Sequence, residues 1–145
     1  MIRNMRAKGV PIHGVGLQAH WAINEPSKEQ LEQTLADFSK LKLPLQLTEL
    51  DISVYPKEHN ASDKKASEFN QEFSPEREQK QQEVYKYCFE AFRKYKKNIK
   101  AVTFWNISDR RSWLDNFPVR GRKDYPLLFD KDLKNKKAFW DVVNF

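Results

Sequence analysis

The chain has a single cysteine, Cys88, in 145 residues. An internal disulfide is excluded, and so is a thiolate-rich metal cluster. Glycine is scarce at four residues, and no Gly-rich phosphate-binding loop is present. No elbow motif carries a serine or cysteine nucleophile. No apolar run is long enough to span a membrane, and residues 1–6 lack the apolar stretch of a signal peptide. The apolar fraction, 39%, is slightly low for a chain that must bury a full core.

Aromatic residues are plentiful by contrast, at 13%. Their flat faces suit the apolar faces of pyranose rings, although core packing accounts for most of the phenylalanines. The net charge is +6. The lysines gather at residues 94–100 and 131–137, mixed with Asp and Asn. Both clusters read as solvated surface, which argues against a nucleic-acid partner. Cys88 sits among apolar residues on a helical pattern and reads as a small buried hydrophobe.

Short apolar runs alternate with amphipathic helices. Residues 1–8 end a helix, with Gly9 as its cap and Pro11 just beyond. Residues 12–17 read as a strand. Ser27 opens a helix with Gln30 completing a capping box, and Leu31, Leu35 and Phe38 recur at helical spacing. Pro44 precedes a second strand at 45–50, and 55–74 reads as a long loop. Ser74-Pro75 starts another helix, whose apolar face carries Val84, Cys88, Phe92 and Tyr95. Residues 101–105 form a third strand, 106–136 a long loop, and 138–143 a final helix in which Trp140 reads as core. Repeated strand–helix units predict an α/β fold with parallel strands. The loops after the strands are long and rich in Trp, His, Glu, Asp and Arg, as on the functional face of a βα barrel. Three strands cannot close such a barrel, and a flavodoxin-like open sheet is the generic alternative.

The strand ends supply Gln18, His20 and Trp21, then Glu49 and Asp51, then Trp105, Asn106 and Asp109, with Trp113 just after. Neighbouring strands would bring these groups to one rim. Glu49 and Asp51, two apart on an extended segment, point to the same side. A carboxylate there needs a partner if it is buried, and His20 from the adjacent strand fits both. An ionised, oriented carboxylate is what covalent glycoside catalysis requires. The competing reading makes Glu49 a strand-end ion-pair residue. One His with two carboxylates lacks zinc-type spacing, and His13 and His59 extend no motif, so no metal is expected. Trp105 and Trp113 read as a sugar-stacking wall. Arg110, Arg111, Arg120 and Arg122 lie near the rim, where they could meet acidic decorations.

Four stretches resemble glycoside hydrolase family 10, the retaining endo-1,4-β-xylanases. They are Gly14-Val15-Gly16-Leu17-Gln18-Ala19-His20-Trp21, Leu47-Thr48-Glu49-Leu50-Asp51, Phe104-Trp105-Asn106-Ile107-Ser108-Asp109 with Ser112-Trp113-Leu114, and Tyr125-Pro126-Leu127-Leu128-Phe129-Asp130 followed by Lys136-Lys137-Ala138-Phe139-Trp140. Order and spacing match along essentially the whole chain. The resemblance implies a (β/α)8 TIM barrel of which residues 1–145 supply roughly strands 6–8 with their helices, as the C-terminal portion of one catalytic barrel. It implies that Glu49 attacks the anomeric carbon, that His20 hydrogen-bonds Glu49 with Asp51 completing the network, and that Gln18 shapes the nucleophile's surroundings. Trp105 and Trp113 wall the sugar site, and Arg122 joins the substrate-binding set. Asn106 departs from the family, many of whose members have Gly. The substrate implied is xylan or xylo-oligosaccharide, with no cofactor and a secreted, cell-surface or periplasmic location. The family's general acid/base, a Glu at the end of the fourth strand, has no counterpart here. Met1 then falls inside the fifth helix, and the missing N-terminal part of the enzyme is the expected partner, without which the chain is expected to be inactive. A non-catalytic carbohydrate-binding fragment and a purely structural scaffold are the alternatives.

Overall fold

A computed structural model describes residues 1–57 and 64–144. Part of the loop predicted at 55–74, including His59, lies outside the described residues. Helix α1 spans Ile2–Ala7, followed by strands β1 (Val15–Leu17) and β2 (His20–Ala22), helix α2 (Lys28–Ser39), strand β3 (Leu45–Ser53), helix α3 (Pro75–Lys94), strand β4 (Ile99–Phe104) and helix α4 (Lys137–Val143). Single 3-10 turns occur at Ala66–Glu68 and Trp113–Asp115.

The start signals act as the local chemistry requires. Ser27 accepts from the Gln30 amide while the Gln30 side chain accepts from the Ser27 amide, closing the capping box. Ser74 accepts from the Arg77 amide, with Pro75 at the first helical position.

All strand pairings are parallel, with β3 at the centre. β1 and β2 run in succession along β3, and β4 also pairs with β3. Where one strand was expected at 12–17, the structure has two, separated by a break at Gln18 and Ala19. Ala19 takes φ +69°, the left-handed region that is costly for a residue with a Cβ.

β3 is also longer than expected and carries a bulge. From Leu47 to Leu50 is three steps, against two from Val102 to Phe104 on β4. From Leu47 to Asp51 is four steps, against three from Leu17 to His20. One extra residue near Thr48 and Glu49 therefore reverses the alternation of side chains. Leu45 and Leu47 enter the core before it, Leu50 and Ile52 after it, and all four are fully buried. Glu49 and Asp51 are thereby turned away from the apolar cluster.

That cluster joins β3 to Leu31 and Leu35 of α2, to Val84, Tyr85, Cys88, Ala91 and Phe92 of α3, and to Ala138 and Val142 of α4. The opposite side of the sheet is open among the described residues, with Gly16 and Gln46 exposed. Two expectations are corrected. Trp140 is 54% exposed, because Ala138 and Val142 occupy the inner face of its short helix. Lys136, read as surface, is buried and salt-bridged to Asp109 at 2.9 Å.

Candidate active site

The break at Ala19 and the bulge in β3 set His20 opposite Asp51. The Glu49 amide donates to the Gln18 carbonyl at 2.9 Å, and the Asp51 amide to the Ala19 carbonyl at 3.3 Å. His20 then lies between two carboxylates. Its Nε2 is 2.9 Å from Glu49 Oε2, and its Nδ1 is 3.0 Å from Asp51 Oδ1. Both contacts are satisfied together when each ring nitrogen carries a hydrogen, or when one carboxyl is protonated.

The two carboxylates differ in access. The Glu49 side chain is 23% exposed and Asp51's is 2%. Among the described residues, the second Glu49 oxygen has no hydrogen-bond partner. Both Asp51 oxygens are engaged, Oδ2 accepting from Trp113 Nε1 at 2.7 Å. Burial raises the Asp51 carboxyl above the usual carboxylate range, while the bonds from Trp113 and His20 act against that rise.

The aromatic side chains stand around the histidine. Trp113 meets the His20 ring edge-on at 4.9 Å and stacks on Phe117 at 5.2 Å. Trp105, half exposed, approaches His20 edge-on at 6.0 Å. Gln18 is exposed beside Glu49, to which it contributes its carbonyl. Lys57, just after β3, donates from Nζ to the His20 carbonyl at 2.8 Å. The rim so formed has one accessible carboxylate and two exposed indole surfaces, an arrangement able to hold a pyranose against an oriented nucleophile.

Two residues placed on this rim by the spacing are buried behind it. Arg122 is 1% exposed, its guanidinium lying over the Tyr55 ring at 4.0 Å and the Phe69 ring at 4.5 Å. Stacking between two rings stabilises the buried cation and withdraws it from the surface where a substrate would meet it. Asp109 is fully buried, bonded to Lys136 Nζ at 2.9 Å and to the Leu127 amide at 2.8 Å. Burial pushes its carboxyl up to about 6, with Lys136 opposing. Arg110, Arg111 and Arg120 are exposed. Trp113's bond to Asp51 and Lys57's bond to His20 went unforeseen, since they link positions 62 and 37 apart that no local pattern connects.

Similarity to known proteins defines the class to which this site belongs. The Glycosyl hydrolase family 10 model matches residues 1–145, and the chain belongs to that family. Among curated relatives it is 43% identical, over 100% of its own length and 40% of theirs, to a β-1,4-xylanase of Dictyoglomus thermophilum. It is 41% identical, over 99% of its length and 42% of the relative, to an endo-1,4-β-xylanase of Geobacillus stearothermophilus. A solved mutant structure in complex with xylotriose superposes with TM-score 0.88 at 43% identity, covering 99% of this chain and 42% of that one. Xylanase XynB from Paenibacillus barcinonensis, complexed with a conduramine derivative, gives 0.87 at 40% identity, covering 98% and 41%. The chain thus spans about 40% of the length of the relatives it matches. Its parallel sheet is part of the TIM barrel that the family implies.

Proposed function

We propose that the chain carries the nucleophile half of a retaining endo-1,4-β-xylanase. β1 and β2 together would be the sixth barrel strand, β3 the seventh and β4 the eighth. The carrying observation is Glu49, accessible at the bulge midway along β3 and held at 2.9 Å by His20. The relatives' names supply the substrate class, and the xylotriose complex of a structural neighbour supports a xylo-oligosaccharide ligand.

In this reading a Glu49 oxygen attacks the anomeric carbon as the glycosidic C–O bond breaks, and the leaving oxygen takes a proton from a general acid. Water, deprotonated by the same group, then attacks that carbon, and the ester bond to Glu49 breaks. His20 keeps Glu49 oriented, Asp51 keeps His20 oriented, and Trp105 and Trp113 flank the sugar. Asp51 is an unsuitable general acid, because both its oxygens are engaged and it is out of reach of substrate. The second carboxyl, needed about 5–5.5 Å from the first, would come from polypeptide outside this chain, with which residues 1–145 form one catalytic barrel. A polymeric substrate suits an enzyme working outside the cell membrane. Among the described residues no helix is long and apolar enough to cross a membrane.

The test joins this chain to the preceding part of the Dictyoglomus thermophilum relative and treats the product with a 2-fluoro-xylobioside carrying an activated leaving group. Peptide mass spectrometry should find the glycosyl adduct on Glu49. Xylan hydrolysis with the adduct on another residue would overturn the assignment. The isolated chain should bind xylo-oligosaccharides weakly and hydrolyse none.

A further inference from the structure

Asp51 is hydrogen-bonded to His20, yet it is all but removed from water. The small cavity beside it holds about 40 Å³ and is lined in part by Ser53, Lys57, Trp113, Phe117 and Arg122. That is far too little room for a sugar ring, since ligand pockets run to several hundred Å³. Substrate therefore reaches Asp51 only through side chains that touch it. On Oδ1 that side chain is His20, and on Oδ2 it is Trp113.

We propose that Trp113 is a positioning residue for the nucleophile, its indole N–H holding Asp51 ionised and aimed at His20 while its ring forms part of the sugar wall. The proposal rests on the reading of Glu49 as nucleophile and extends it. The chain of contacts is continuous: the Phe117 stack at 5.2 Å fixes the indole, Nε1 donates to Asp51 at 2.7 Å, Asp51 orients His20 at 3.0 Å, and His20 holds Glu49 at 2.9 Å. A tryptophan needed only for packing or stacking has no reason to aim its single donor at a buried carboxylate. A carboxylate lacking that donor would be left with one charge-assisted bond against its loss of solvation. The other charged and titratable groups facing Asp51 are His20 of β2, Glu49 of β3, Lys57 after β3, Arg122 across the cavity, and Tyr85 of α3, which feels its charge. The direct side-chain contacts of Asp51 are His20 on Oδ1 and Trp113 on Oδ2. Sugar binding on the exposed face of Trp113 would exclude water from the indole–carboxylate bond and strengthen it, so occupancy of the wall and orientation of the nucleophile are coupled.

The test follows the Asp51 carboxyl carbon by NMR against pH in the chain labelled at aspartate, with D51N for assignment. In W113F, which keeps a ring and loses the donor, the Asp51 midpoint should rise by about one to two pH units, the equivalent of one charge-assisted hydrogen bond. The His20 ring signal should change over the same range. F117L, which loses the stack and keeps the indole, should move the midpoint by much less. An unchanged midpoint in W113F overturns the proposal. If W113F does not fold, the unsubstituted chain still decides. One of its four indole N–H signals should titrate with Asp51 and cease to do so in D51N, and four insensitive signals would overturn the proposal. Neither NMR readout requires activity or involves Glu49 chemistry, so failure there and failure of the nucleophile assignment are separate results. In the joined enzyme, W113F should lower kcat more than it raises KM and should shift the acid limb of the pH profile upward. A change in KM alone would leave Trp113 as a wall and overturn the positioning role.

Discussion

Two of the clusters that pair acidic with basic side chains are built for opposite ends. Along the second half of β3, His20 joins Glu49 and Asp51, with side-chain exposures of 19% for the histidine and 23% for Glu49. Behind the long loop after β4, Asp109 joins Lys136, with side-chain exposures of 0% and 3%. Asp109 is the more perturbed acid, pushed up to about 6 by burial. A strongly shifted carboxyl is often taken as the mark of a functional site, and here that rule alone would select the sealed cluster. Lys136 Nζ is also bonded to the Tyr125 carbonyl at 2.6 Å, and Lys123 Nζ donates to the Asp109 carbonyl at 2.6 Å. This group pins the loop and leaves no room for substrate. What distinguishes the first cluster is a carboxylate that is oriented by a partner and still open on one side.

The sharpest test of the contrast is the loss of each acid. In the joined enzyme, E49Q should lower kcat by about 10⁴-fold or more, as removal of a nucleophile does, with the urea unfolding midpoint nearly unchanged. A variant retaining activity would move the chemistry elsewhere. D109N or K136M should leave one buried charge without its partner and cost about 3–5 kcal/mol in urea unfolding. The double variant D109L/K136M should recover most of that loss, since two apolar residues can fill the same volume without burying charge. If the double variant is as unstable as the singles, the pair is more than a sealed structural bridge.

A pH series refines the same point. The folded value of Asp109, about 6, lies above its unfolded value of 3.8, so folding favours its neutral form. The stability it contributes is present below about pH 4 and is lost as pH rises through about 6. Over that window the wild-type chain should lose about 3 kcal/mol relative to D109L/K136M. A difference that is flat with pH would show that Asp109 is ionised throughout. Arg122 gives a smaller effect. R122M keeps length and loses the cation between Tyr55 and Phe69, which should cost about 2 kcal/mol and leave xylo-oligosaccharide affinity unchanged. A selective loss of affinity would return Arg122 to the substrate-binding set.

The legible parts of the fold were those carried by local chemistry. Ser27 with Gln30, and Ser74 with Pro75, mark helix starts through bonds made within four residues. The apolar spacing of Val84, Cys88 and Phe92 marks the inner face of α3, and all three are buried. Glu49, Asp51 and His20 were legible as a set because the side-chain period of a strand and the βα order place them together. The bulge in β3 was not, because the strand was read only over 45–50, which stops before Ile52 shows the apolar positions shifting from 45 and 47 to 50 and 52. Trp140 and Lys136 were misplaced for a related reason: hydrophobic or charged character predicts burial only on average, and a seven-residue helix cannot bury every face.

By itself the sequence determined the order of the helices, where they start, and the carboxylate–histidine–carboxylate set, along with the family to which they belong. These depend on neighbours a few residues apart or on motifs with fixed order. Tertiary structure alone decided that a one-residue bulge turns Glu49 away from the core, that Trp113 spends its only donor on Asp51, and that Asp109 and Arg122 are sealed inside. Each of these depends on which distant segment fills the space beside a side chain, and burial, hydrogen bonding and charge are properties of that filled space.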